Sequence, residues 1–82
     1  MARAKGAPTL EHIEAFILER GDITIGAIGT FDCVATAADE HQSLAMLVRR
    51  DGEALLELLV RLDEAIRMAS EEGIFTDEVN SS

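Results

Sequence analysis

The sequence contains no tryptophan, no tyrosine, a single proline and a single cysteine, and the shortages of cysteine and of aromatic residues each argue against a class of protein. Cys33 alone cannot form an internal disulfide, so a reducing cytoplasm is the expected location. Because three phenylalanines are the only aromatic residues, the chain lacks a surface on which nucleic-acid bases could stack. No apolar run approaches the roughly 18–20 residues that span a bilayer, and the beginning lacks the apolar stretch of a signal peptide.

Basic residues are also scarce: seven face sixteen acidic residues, which gives a net charge of −9. Residues 51–82 hold nine of the acids against only Arg61 and Arg67. Such a chain repels phosphate backbones and the anionic leaflet of a membrane. We therefore predict neither a nucleic-acid nor a membrane partner. A basic protein is the partner that the charge favours, although ordinary solubility also accounts for the acidity.

The length allows one domain with one modest core, and an apolar content of 48% is too high for a disordered chain. We expect a flexible N-terminus over residues 1–8, a single domain over residues 9–74 and an acidic C-terminal tail over residues 75–82.

The first half of the chain predicts a short helix and then strands. Thr9 is placed to cap the helix. Two β-forming runs follow, separated by Gly29-Thr30, which favours a type II′ hairpin turn. Counting outward from this turn pairs Ile25 with Val34. A third strand is predicted over residues 43–49.

The second half predicts a long amphipathic helix that Asp51 caps. The pairs Glu57–Arg61 and Asp63–Arg67 have the i, i+4 spacing of helix ion pairs. One apolar stripe follows the helical period: Leu55, Leu58, Leu59, Leu62, Ala65, Ile66 and Ala69.

The fold class is therefore α+β: a short N-terminal helix, a three-stranded antiparallel meander and a long C-terminal helix that ends at Gly73. In the predicted register both sheet faces are apolar, with Ile23 and Ile25 on the face opposite Phe31. If the second face stayed in water, the protein would lose several kcal/mol of folding free energy, at about 25 cal/mol per Å² of apolar surface left unburied. Either the first helix, packed on the opposite side, or a second copy of the chain must cover it.

We predict a small acidic, non-catalytic interaction or regulatory module that acts as a homodimer. If the third strand lay at a sheet edge, its unpaired backbone groups could pair with a strand of another chain. Alternatives are a phage or mobile-element inhibitor that mimics nucleic-acid charge, and a small-ligand binder or enzyme with a site between protomers. The candidate contact residues are apolar side chains on the third strand, the long helix and the tail: Leu44, Met46, Val48, Leu56, Val60, Met68, Phe75 and Val79.

Chemistry-bearing residues are few, and we predict no catalytic, cofactor or metal site. A nucleophile needs a base within reach, and only His12 and His41 are available. His41, beside Asp39 and Glu40, would be the residue to test for a site between protomers.

Three segments resemble small bacterial proteins of unknown function: SLAMLVRR (residues 43–50), LLVRLDEAI (residues 58–66) and FTDEVN (residues 75–80). This resemblance implies a cytoplasmic bacterial protein and no particular activity. The α-β-β-β-α order also resembles the double-stranded-RNA-binding fold, which binds through a basic end of its second helix. Here that helix begins Asp51-Gly52-Glu53, so the RNA activity is not carried over.

Overall fold

The computed structural model describes residues 9–80, so the predicted flexible segment over residues 1–8 lies outside the described part, as do residues 81 and 82. The described chain is a single α+β domain with two helices and one sheet, as predicted. Its elements are α1 (Glu11–Leu18), β1 (Asp22–Ile28), β2 (Phe31–Ala38), β3 (Ser43–Val48), α2 (Leu55–Glu72) and β4 (Thr76–Asp77).

The sheet has the order β1-β2-β3-β4. The antiparallel pairing of β1, β2 and β3 confirms the predicted meander. The expectation of only three strands is wrong, because β4 runs parallel to β3 and pairs Thr76 with Ala45. The segment that the sequence assigned to the tail therefore contributes to the sheet, through a strand too short to show an alternating pattern.

The hairpin turn lies where the sequence predicts it, but the register beyond it differs by one residue. Gly29 has a φ of 58°, and Ile28 lies opposite Phe31 as expected. An irregularity between Gly26 and Ile28 then shifts the pairing, so that Ile25 lies opposite Ala35 and not Val34. A shift of one residue exchanges the two faces of a strand.

The shift places the apolar residues of β1 on the face that the helices cover. Ile23 packs against the core, and α1 and α2 lie on the same side of the sheet and contact each other. An irregularity between Ala37 and Ala38 also brings Leu44 into the core. The buried core residues are Ile13, Phe16, Ala35, Ala37, Leu44, Ala45, Leu47, Leu58, Leu62, Ala65, Ile66 and Ala69.

The opposite side of the sheet, here called the outer face, is less apolar than predicted. Its members follow from strand alternation: Thr24, Gly26, Val34, Thr36, Met46 and Val48. The alternative in which the first helix packs on this side is wrong, because both helices lie on the other side. Two threonines and a glycine lie among the apolar members of the outer face, of which Val34 is only 1% exposed.

Both helices begin differently from the sequence prediction. α1 starts after Leu10, which has a φ of 50°, and Thr9 is not its cap. α2 starts after Ala54, and the Glu57 carboxylate accepts the Ala54 N–H at 2.7 Å, so Asp51 is not its cap either. The predicted end of α2 is confirmed at Gly73, whose φ is 69°.

Candidate interaction surfaces

Arg61 on α2 joins four parts of the chain through one guanidinium. It donates to the two carboxylate oxygens of Glu53 at 2.7 and 3.0 Å and to Glu78 at 3.2 Å. It also donates to the carbonyl of Val48, at the end of β3, at 2.9 Å. The Glu53 side chain is only 7% exposed, and the Arg61 guanidinium lowers its pKa to about 2. This cluster fixes the end of the sheet to the helix.

Glu78 completes the cover over the edge of β3 that does not pair with β2. Its N–H donates to the Met46 carbonyl at 2.8 Å, and its carboxylate accepts the Val48 N–H at 2.9 Å. Together with β4, these bonds satisfy backbone groups that a strand edge otherwise presents to partners. β3 is therefore not the open edge that the sequence suggested.

β1 forms the other edge of the sheet, and no described strand pairs with its outer side. Asp22 is its only charged residue, and it contains no lysine or proline. Ile25 is 42% exposed on this strand, and the nearby end of α1 exposes Ile17 and Leu18, the latter to 77%. Backbone donors and acceptors and apolar side chains are thus exposed in the same region, here called the β1 edge.

A second apolar surface is a depression of 320 Å³ between α2 and β4, here called the α2–β4 groove. Leu47 and Ala65 are buried at its base, Val60 and Met68 line it from α2, and Thr76 lines it from β4. Its charged members are Arg61, Glu64 and Glu78.

The structure brings together only some of the predicted contact residues. Val60 and Met68 share the α2–β4 groove, and Leu56 lies one turn before Val60 and is exposed. Leu44 is buried in the core and offers no surface. The remaining four are at least partly exposed but do not line the groove: Met46, Val48, Phe75 and Val79.

The loop around His41 is organised by its own backbone. Asp39 accepts the N–H groups of His41 and Gln42, each at 2.8 Å, and these bonds lower the pKa of Asp39. The His41 ring is exposed and lies 3.5 Å from the carboxylate of Glu40. Asp39 therefore holds a turn, and its bonding oxygen faces the backbone.

His12, the other histidine, takes part in a contact between the two helices. Asp63 of α2 accepts the backbone N–H groups of His12 and Ile13, both at 2.8 Å, and its second oxygen lies 3.0 Å from His12 Nδ1. The His12 Nε2 atom lies 3.8 Å from Glu71. The hydrogen bond to Asp63 raises the pKa of His12. Asp63 is thus the cap of α1, supplied from another helix.

A depression of 690 Å³ lies where β2 and β3 meet the loop before α2. Cys33 and Arg50 line it together with Asp32 and Asp51. Arg49 also lines it and donates from Nε to the Glu53 carbonyl at 2.9 Å. The lining mixes two arginines with three acids, because Glu53 also lines the cavity.

Within residues 9–80, no cluster of three or more His, Cys, Asp or Glu side chains is arranged to hold a metal ion. In the same part of the chain, no helix combines the length and apolarity needed to cross a membrane. Comparisons with protein-family models, with curated proteins and with solved structures found no match to this chain.

Proposed function

We propose that the protein is a non-catalytic interaction module that acts as a homodimer, with the β1 edge as the dimer contact. The observation that supports this is the difference between the two sheet edges. β4 and the Glu78 carboxylate cover the edge of β3, whereas no strand within residues 9–80 pairs with the outer edge of β1. An unpaired strand of this length is a template for another strand, and a two-fold axis is the commonest way to pair identical ones.

The charge distribution favours β1 over other surfaces for self-association. Like charges brought together across an interface are unfavourable, and residues 51–82 carry a net −7 from nine acids and two arginines. β1 has only Asp22. Antiparallel pairing of two β1 strands would place the two Ile25 side chains close together and bury part of their exposed area.

The non-catalytic part of the proposal rests on what the histidines contact. The His12 ring is held by Asp63, and the nearest charged group to the His41 ring is Glu40. Among residues 9–80, neither ring forms a hydrogen bond with a hydroxyl or a thiol, which is the contact by which a histidine activates a serine or cysteine nucleophile.

Light scattering coupled to size-exclusion chromatography at micromolar concentration tests the dimer. We expect a mass of twice the 8.9 kDa chain for the wild type. Ile25→Lys should yield a monomer, because a lysine in an edge strand opposes pairing. Leu56→Lys is the matched control, since it places the same charge on an exposed apolar site of α2 and should leave the dimer intact. A monomeric wild type, or a dimer that survives Ile25→Lys, would contradict the proposal.

A further inference from the structure

We infer that the α2–β4 groove binds an amphipathic segment of a basic partner protein, whose apolar side chains enter the groove while its lysines or arginines face the acids around it. This inference names the partner of the proposed interaction module and rests on that role. It does not require the β1-edge dimer.

The apolar part of the recognition comes from side chains that the fold leaves available. Val60 is 40% exposed, Leu56 is 50% exposed, and both point from the same side of α2 because they are one turn apart. Met68 continues this row across the groove. Methionine adapts its shape to different apolar partners. The groove volume of 320 Å³ is at the lower end of the usual range for ligand pockets, about 300–1,000 Å³, so it suits a few side chains.

The charged part of the recognition follows from how the two arginines of this region are used. Arg61 is held by Glu53 and Glu78, and Arg67 is held by Glu64, Glu71 and Glu72. Each arginine thus faces more than one carboxylate, and the surface around the groove keeps an excess of negative charge. A segment with lysines or arginines on its polar side would be complementary to it.

The same charge argument identifies the occupant as a different protein. A second copy of this chain would bring an equally acidic α2 surface against the first, with Glu57 and Glu64 among the exposed acids. An anionic membrane would be repelled for the same reason. A helix or strand laid into an apolar groove is a common mode of peptide recognition, and it uses a few apolar anchors at regular spacing.

Selection from a random peptide display library against the immobilised full chain tests the inference. We expect the enriched peptides to carry a net positive charge and apolar residues at helical or alternating spacing. The strongest peptide should bind less tightly as salt is raised. Peptides that are neutral or acidic, or no enrichment over the bare support, would overturn the inference.

Titration of that peptide against variants then locates the site. Val60→Glu should weaken binding at least about tenfold, because a charge in the groove would have to be desolvated beside the apolar anchors. Leu55→Glu places the same charge on an apolar residue of α2 that is 46% exposed and lies outside the groove, and it should leave the affinity unchanged. A Val60→Glu protein that binds like the wild type would refute the location. Ile25→Lys should bind the peptide like the wild type, so this result is independent of the dimer test.

Discussion

Gly21 shows how a single residue shapes the turn between α1 and β1. Its N–H donates to the Phe16 carbonyl at 2.8 Å, and a Cβ atom in its place would overlap the Phe16 ring. Phe16 is buried in the core, so its ring has little room to move. The need for glycine here comes from this close approach and not from a positive φ.

We expect Gly21→Ala to destabilise the protein by about 1–3 kcal/mol, the usual effect of forcing extra volume into a packed site. Urea unfolding followed by circular dichroism measures the change. Gly26→Ala is the control, because a Cβ atom at Gly26 meets nothing within 4 Å. Equal losses for the two variants would show that the Phe16 contact is not the cause.

At the residue scale, local rules find a helix but not its cap. The sequence predicts Thr9 and Asp51 as caps, because an N-terminal cap normally lies directly before the first residues of its helix. α1 is instead capped by Asp63, which is 50 residues from Ile13 along the chain. No local pattern connects such residues, and only the packing of α1 against α2 brings them together.

At the element scale, the two-residue strand β4 depends on Arg61 for its position. We expect Arg61→Ala to lower the free energy of unfolding by about 1–3 kcal/mol, because it removes hydrogen bonds to two carboxylates and a backbone carbonyl. Hydrogen exchange should be faster at two N–H groups that join this segment to β3. The Val48 N–H donates to the Glu78 carboxylate, and the Glu78 N–H donates to the Met46 carbonyl.

Arg67→Ala is the matched control for Arg61→Ala. It also removes a guanidinium from α2, but the carboxylates that contact Arg67 are all exposed. Ion pairs of this kind are strongly screened by water. The exchange rates at Val48 and Glu78 should then match those of the wild type. If Arg67→Ala accelerates them as much as Arg61→Ala does, β4 is not held by the Arg61 contacts.

The helix ion pairs show why sequence spacing is a weak guide to contacts. The spacing predicted Glu57–Arg61 and Asp63–Arg67, but Arg61 contacts Glu53 and Glu78 instead. A pair at i, i+4 contributes only a few tenths of a kcal/mol, so more distant partners readily replace it. Arg67 contacts Glu64 and the two acids that end α2, which explains acidic residues where the helix dipole disfavours them.

At the scale of the whole molecule, periodicity was enough to predict an α+β domain with the long helix over the sheet. It was not enough to predict which face the helices cover, because β2 has one extra residue between Phe31 and Val34, opposite Gly26 and Ile28, and this residue shifts the register of β1 against β2. Ile23 of β1 and Phe16 of α1 pack on the same side of the sheet as α2, so both helices and the sheet share one core. The two candidate surfaces depend on this arrangement, since it leaves β1 as an edge.

The contact between α1 and α2 makes the stability of the whole molecule depend on pH through His12. Asp63 holds the ring, the Glu71 carboxylate lies 3.8 Å from Nε2, and the negative charges of Glu11 and Glu64 also favour the protonated ring. The pKa of His12 is raised above 6.5 in the folded protein, chiefly by its hydrogen bond to Asp63. Between the unfolded and the folded pKa, the native state therefore holds more protons than the unfolded state.

The free energy of unfolding should consequently fall as the pH rises above about 6.5 and through the folded pKa of His12, with this contribution fully present at lower pH. Urea unfolding from about pH 6 to about pH 9 measures the slope. His12→Gln and Asp63→Asn should both flatten it, because each removes the ion pair that favours the protonated ring. His41→Gln should leave it unchanged, since that side chain is 81% exposed and keeps its contact with water on unfolding. A slope that survives His12→Gln would assign the pH dependence to other groups and leave the α1–α2 contact insensitive to the charge of His12.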